Sequence, residues 1–199
     1  MEAADVGLKA RLVQVGVDLL AREGIQALTL REIARQAGVS HGAPRRHFPT
    51  HLELLSAIAR EGFLTLTTTA TETIARSDLS ARAKLGVLGR AYLDFARDNP
   101  GMFELMSRHD LLESNRLGLR ETSLPLFALL VDLITEAGPP GGNPPRMVAG
   151  ALWANLHGIA QLWRWGSLQL ATGTDRADAL LQAALDAHLG PAEPPHPAG

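Results

Sequence analysis

The sequence predicts an all-α protein, with three helices forming an N-terminal head that contains a helix-turn-helix, followed by a larger helical bundle. Three observations predict it. Apolar residues recur at the three- and four-residue spacing of a helix face, as in Leu8, Leu12, Val15 and Leu19. Strand signals are nearly absent: no Asn-Gly hairpin turn occurs, and the β-branched cluster over 65–71 continues a helical pattern. Capping side chains, glycines and prolines stand at the joints of that pattern.

The first helix carries the Leu8 to Leu19 stripe and is expected to end near Gly24. Thr29-Leu30-Arg31-Glu32 reads as a capping box, in which the Thr29 hydroxyl accepts the Glu32 N–H and the Glu32 carboxylate reaches back. A second helix is therefore expected over 30–37, stopped by Gly38 in the left-handed conformation. Ser40 is expected to cap a short third helix from His41, with Pro44 tolerated in its first turn and Pro49 ending it. Thr50-His51-Leu52-Glu53 repeats the box and opens a longer helix to about residue 76, burying Leu52, Leu55, Ile58, Ala59 and Phe63.

Further helices are expected over 80–97, 100–107, 112–136, 144–166 and 176–189, with Asn99-Pro100 and Asn143-Pro144 as cap-and-first-residue starts. Residues 138–145 read as a Pro/Gly-rich loop. Residues 190–199, with four prolines and no apolar periodicity, read as a disordered tail. The expected organisation is a helical head over 7–51, a larger helical body over 52–189, and the tail.

Composition narrows the classes. At 199 residues with 46% apolar content, the chain has material for a real core. The absence of cysteine excludes disulfides, thiolate metal sites and cysteine nucleophiles. The N-terminus lacks the pattern of an export signal, and charges interrupt every apolar window before it reaches the roughly 20 residues of a membrane span. A soluble, cytoplasmic protein is expected. The net charge of −2 is unevenly spread: residues 1–60 hold eight Lys/Arg against six Asp/Glu, and the remainder eleven against fifteen. A mildly basic head on an acidic body fits one surface that meets phosphate and one that does not.

Within 28–48 a capped helix, the turn Ala37-Gly38-Val39-Ser40 and a short basic helix follow one another. Gly38 permits a sharp reversal, Val39 fills the angle, and the short helix begins with its N–H groups facing outward. His41 and Arg45 share a face at i, i+4, whereas Arg46 is rotated about 100° from Arg45, so one arginine can read a base edge while the other holds a phosphate. Gly42 and Ala43 keep the helix slim enough to approach a groove floor and meet thymine methyls. The plainer alternative is a tight corner between two amphipathic helices. The joint occurrence of cap, glycine stop, serine and paired arginines favours the DNA reader.

These residues resemble the TetR family: Leu28-Thr29-Leu30-Arg31-Glu32-Ile33-Ala34, then Ala37-Gly38-Val39-Ser40, Gly42-Ala43-Pro44, Arg46-His47-Phe48 and Leu54-Leu55. The resemblance runs from about Arg11 to Ala59. It implies a three-helix DNA-binding head, an all-helical body that dimerises and takes a small molecule, and repression relieved when that molecule binds. Carried over by position, Thr29 would meet a phosphate, and Ser40, His41, Gly42, Arg45, Arg46 and His47 would face an inverted-repeat operator, with Phe48 in the core. Arg45 stands where members usually have tyrosine and His51 where a lysine is common, which implies an altered operator preference and a weaker phosphate anchor.

Trp153-Ala154-Asn155-Leu156-His157-Gly158 resembles the Trp-His-Gly C-terminal subgroup of the same family. Trp153 and His157 share a helix face, with Trp163 further along, so aromatic surface beside one histidine can line a ligand pocket with a polar handle. The alternative is that they pack the core, His157 being satisfied by a backbone carbonyl. By resemblance, Tyr92, Phe95, Phe103, Met106, His109 and Phe127 lie on helices around the cavity, each also readable as core. The small residues Ala149, Gly150, Ala151, Ala154, Gly158 and Ala160 permit close helix packing. With Leu152, Leu156, Ile159, Leu180, Leu181 and Leu185 they point to a four-helix interface between two copies.

No metal or other cofactor is expected: His41, His47 and His51 are spaced by six and four across a proline-broken helix with no carboxylate or cysteine beside them. The competing reading is an all-α enzyme or small-molecule-binding protein whose N-terminal helices are scaffold. It lacks a phosphate-binding glycine loop, a paired carboxylate site or a Ser/His/Asp set. An architectural DNA binder would want a more basic chain and no large apolar C-terminal half.

Overall fold

The computed structural model describes residues 2–75, 78–138 and 140–191, with side chains placed from residue 7 onward. The described residues hold eleven α-helices and no strand: α1 Glu2–Glu23, α2 Leu30–Gln36, α3 Ala43–His47, α4 His51–Ala75, α5 Ala81–Asp98, α6 Pro100–Met106, α7 His109–Ser114, α8 Leu119–Ala137, α9 Pro145–Arg164, α10 Ser167–Thr172 and α11 Ala177–Leu189. None of them is long and apolar enough to cross a membrane. The chain divides into two compact units, 1–67 with 98–124, and 68–97 with 125–199, so the boundaries fall inside α4, at the last residue of α5, and inside α8.

In the first unit the α1 stripe is buried as its spacing requires: Leu12 and Leu19 are fully buried, together with Ile33 of α2, Phe48, and Leu54 and Ile58 of α4. Gly16 lets α1 and α4 close on each other, because a Cβ there would stand 2.4 Å from the Ile58 side chain. Leu105 and Met106 of α6, Leu111 of α7 and Leu119 complete this core. The second unit has its own core, with Leu85 and Leu88 of α5, Leu130, Leu133 and Ile134 of α8, Val148, Leu152 and Leu156 of α9, and Leu181 and Leu185 of α11. Each such leucine contributes about 1.5–3 kcal/mol by leaving water. At the rim Arg82 pairs with Asp186, and Arg90 with Asp178, tying α5 to α11.

Several joints differ from the sequence expectation. The third helix begins at Ala43 after Gly42, not at His41, and Ser40 makes no side-chain cap. Pro44 is the reason: a helix starting at 41 would need its N–H to bond the Ser40 carbonyl, and proline has none. Ala43 N–H bonds that carbonyl instead, at 3.0 Å, as a turn. The helix expected over 112–136 is broken: α7 ends at Ser114 and α8 starts at Leu119, with Asn115 and Leu117 between them in left-handed conformations at φ 47° and 56°. The Asn115 side chain makes the break tenable, since its oxygen accepts the Arg120 N–H at 2.7 Å and its amide donates to Glu121 at 3.2 Å. α10 was not expected; Gly166 at φ 76° separates it from α9. The second proline start sits one residue later than expected, with Pro144 as cap and Pro145 first in α9. Residue 76 and residues 192–199, most of the expected tail, lie outside the described residues.

Candidate nucleic-acid interface

The start and stop of α2 set the geometry of the helix-turn-helix. Thr29 has extended backbone, and its hydroxyl accepts the Glu32 N–H at 3.1 Å. The reciprocal half of the box does not form. Thr29 N–H already bonds the Ala27 carbonyl at 2.7 Å. The Glu32 carboxylate instead accepts Arg35 through both oxygens, at 2.9 and 2.5 Å, and Gln36 at 2.9 Å. The Arg35 bond first, and then Gln36, hold the Glu32 carboxyl down to about 2. Thr50 and Glu53 repeat this behaviour: the Glu53 N–H reaches the Thr50 hydroxyl at 3.2 Å, while its carboxylate faces Arg116 at 3.5 Å.

At the other end α2 closes in a Schellman turn. Gly38 adopts φ 65°, its N–H bonds the Arg35 carbonyl at 3.2 Å, and the Val39 N–H bonds the Ala34 carbonyl at 3.0 Å. The chain thus leaves α2 in a fixed direction and enters α3. There Pro44 is buried and, one turn on, Phe48 is fully buried, with the Lys9 ammonium 5.6 Å from the Phe48 ring centre. This anchoring turns the opposite side of α3 to solvent. Ser40, His41, Gly42, Arg45 and Arg46 are exposed, Ala43 and His47 are half-buried, and Thr29 is exposed at the head of α2. All the expected DNA-facing residues of α3 and its approach therefore gather on or beside one short helix. The bond from Arg22 to Gln36, 2.6 Å, ties α1 to α2 and had no sequence signal beyond two polar side chains.

His51 sits differently from the rest. Its Nε2 lies 2.5 Å from the Leu28 carbonyl oxygen, so it donates there.

A family model described as bacterial regulatory proteins, tetR family, matches residues 12–58, and one described as tetracyclin repressor-like, C-terminal domain, matches residues 85–188. The chain belongs to the TetR family. Among TetR-like relatives, the nucleoid occlusion factor SlmA of Haemophilus ducreyi is 30% identical over 112 residues, 55% of each chain. The chain thus spans about half the length of the relatives it matches in sequence. A solved structure of a protein of unknown function from Rhodococcus sp. RHA1 is 31% identical with a TM-score of 0.77, covering 90% of this chain and 92% of that one. The structure of RolR in complex with resorcinol shares the fold, at TM-score 0.64 and 19% identity, covering 94% and 90% of the two chains.

The residues expected around a TetR-type ligand cavity fall in both compact units. Phe103 and Met106 are core residues of the first unit. His109 is 86% exposed at its side chain, 3.8 Å from Glu113, because α7 turns it outward. In the second unit, by contrast, the Tyr92 hydroxyl lies 2.9 Å from His157 Nδ1, and the Trp153 indole bonds the Tyr92 oxygen. Burial raises the Tyr92 phenol above its ordinary value, so it stays protonated, and burial lowers His157. Phe127 stands edge-on to Trp153 at 6.1 Å, with the Arg146 guanidinium 5.4 Å from the Phe127 ring centre. Phe95 is half-buried on α5. Trp163 lines a separate surface groove of about 440 Å³ with Leu93, Arg97, Ile159 and Arg176.

The expected interface between copies needs correction. Leu152, Leu156, Leu181 and Leu185 are 1–5% exposed in the core of the second unit, because α9 and α11 pack on each other and on α5 with those leucines. Ile159 and Leu180 are half-buried. The face of α9 left to solvent is another one, carrying Met147, Ala151, Ala154, Leu162 and Trp165, with Trp165 65% exposed.

Proposed function

We propose that this TetR-family regulator is a homodimeric repressor that reads an inverted-repeat operator and is released by a small apolar or amphipathic molecule. The observation that carries the DNA half is the outward side of α3: Pro44 and Phe48 hold the helix to the core, which leaves Arg45 and Arg46 exposed beside Ser40, His41 and Gly42. An arginine fork matches guanine O6 and N7, and a second arginine one position on matches phosphate. Thr29, Ala43 and His47 flank that surface. In this reading residues 7–51 are the DNA-binding head and 52–189 the body, and the chain works in the cytoplasm without catalysing a reaction.

The dimer is assigned to the solvent face of α9. Met147, Ala151, Ala154, Leu162 and Trp165 recur at helical spacing, and the alanines allow a second helix to approach closely. The effector is assigned to the second unit. The bonded set Trp153, Tyr92 and His157 beside Phe127 supplies apolar walls with one neutral hydrogen-bonding group, which suits a small aromatic alcohol better than an anion. RolR, a protein of this fold, holds resorcinol, in keeping with that class.

The test is selection of bound sequences by the purified chain from a random duplex pool. Enrichment of an inverted repeat supports the reading and supplies the operator. No enrichment at any salt concentration, or enrichment of a single unrepeated site, contradicts the dimeric DNA reader.

A further inference from the structure

We infer that His51 acts as a positioning residue of the DNA-reading head and not as a phosphate ligand; the inference rests on the DNA-binding reading. Leu28 is 2% exposed, and its carbonyl lies one residue before the cap Thr29. The α2 ladder starts after it, with the Ile33 N–H on the Thr29 carbonyl at 3.0 Å, so helix formation does not satisfy the Leu28 oxygen. A carbonyl beside a buried residue needs a donor. The His51 ring supplies one, 2.5 Å away and 23 positions along the chain.

Those two positions are the two ends of the helix-turn-helix. Leu28 leads into α2, and His51 opens α4; α2, its Schellman turn and α3 all lie between them. The bond therefore closes the motif at its base. It fixes the first turn of α4 against the first turn of α2, and with it Thr29, the next residue after Leu28. A carbonyl oxygen only accepts, so Nε2 carries the hydrogen, and that hydrogen is not available to a phosphate. The residue's exposed place at the start of α4 suggests a backbone contact; its geometry assigns it to the protein.

The experiment compares His51→Ala and His51→Gln with the wild-type chain. A glutamine Nε2 can reach the same carbonyl and is never charged. The probe is a duplex carrying the repeat enriched by the wild-type chain, titrated between about 50 and 200 mM salt. His51→Ala is expected to lose about tenfold in affinity, the worth of one hydrogen bond, with the salt slope of the wild type. His51→Gln is expected to recover most of the loss, also with an unchanged slope. A slope lower by about one in both variants identifies a phosphate ligand and overturns the inference. So does wild-type affinity in His51→Ala, or equal loss in both variants. Amide hydrogen exchange across 28–36, without DNA, gives an independent arm: faster exchange in His51→Ala restored by His51→Gln is expected, and identical exchange in all three chains overturns it. If the wild-type chain enriches no duplex, the DNA-binding reading fails, while the exchange arm still decides whether His51 holds the motif together.

Discussion

A methyl group at Gly42 would meet no atom within 4 Å, and the residue's φ of −84° is open to any L-amino acid. Nothing inside the protein requires glycine there. What remains is an outside surface that approaches the backbone, which is what the slim start of a recognition helix would need. Gly42→Ala is accordingly expected to leave stability unchanged or slightly raised, by at most about 1 kcal/mol, and to weaken binding to the enriched duplex. Equal affinity in the two chains would remove the close-approach argument. His157 offers a second residue-scale prediction. Its ordinary pKa is 6.5, and burial lowers it in the folded state. Above 6.5 the ring is neutral in both states; as pH falls, the unfolded chain takes up the proton first, so stability is lost through the folded value. Denaturant unfolding between pH 7.5 and 5 is expected to show this loss in the wild type and a flatter profile in His157→Gln.

Among the elements, α2 and its turn were the most legible in sequence, because each decisive atom belongs to a short local pattern: the Thr29 hydroxyl, Gly38 and the following Val39. Gly38→Ala tests that reading. A left-handed L-residue costs about 1–2 kcal/mol, and chemical denaturation should show a loss of that size although a Cβ there would touch nothing. The failures of local pattern have physical causes of the same kind. Glu32 and Glu53 match the capping box, yet arginines at positions the motif does not specify, Arg35 and Arg116, take their carboxylates. The break at 115–118 was hidden because Asn115 bonds Arg120 and Glu121 only once the chain has bent. Apolar spacing on either side of it runs on as if the helix were continuous.

For the whole molecule, periodicity showed that α9 and α11 are apolar but not which apolar residues face their own core. Leucines at 152, 156, 181 and 185 fill that core, so the proposed interface between copies is assigned instead to the exposed face on the other side of α9. Ala154→Arg is expected to give a folded monomer by sedimentation velocity, with loss of affinity for the inverted repeat. Leu156→Ala is expected to cost about 2–5 kcal/mol of stability. A dimeric Ala154→Arg chain would place the interface elsewhere. The placement of the aromatics expected around a ligand was the least legible part, since Phe103 and Tyr92 follow the same helical pattern yet belong to different compact units.

The central claim is that the outward side of α3 reads DNA. Affinity of the Arg45→Ala, Arg46→Ala double variant for the enriched duplex, measured with circular dichroism and sedimentation on the same samples, tests it most directly. Loss of specific binding, a salt slope lowered by about one for the arginine that holds phosphate, and unchanged helical content and oligomeric state are the expected result. Specific binding retained at wild-type strength by a folded double variant would contradict it.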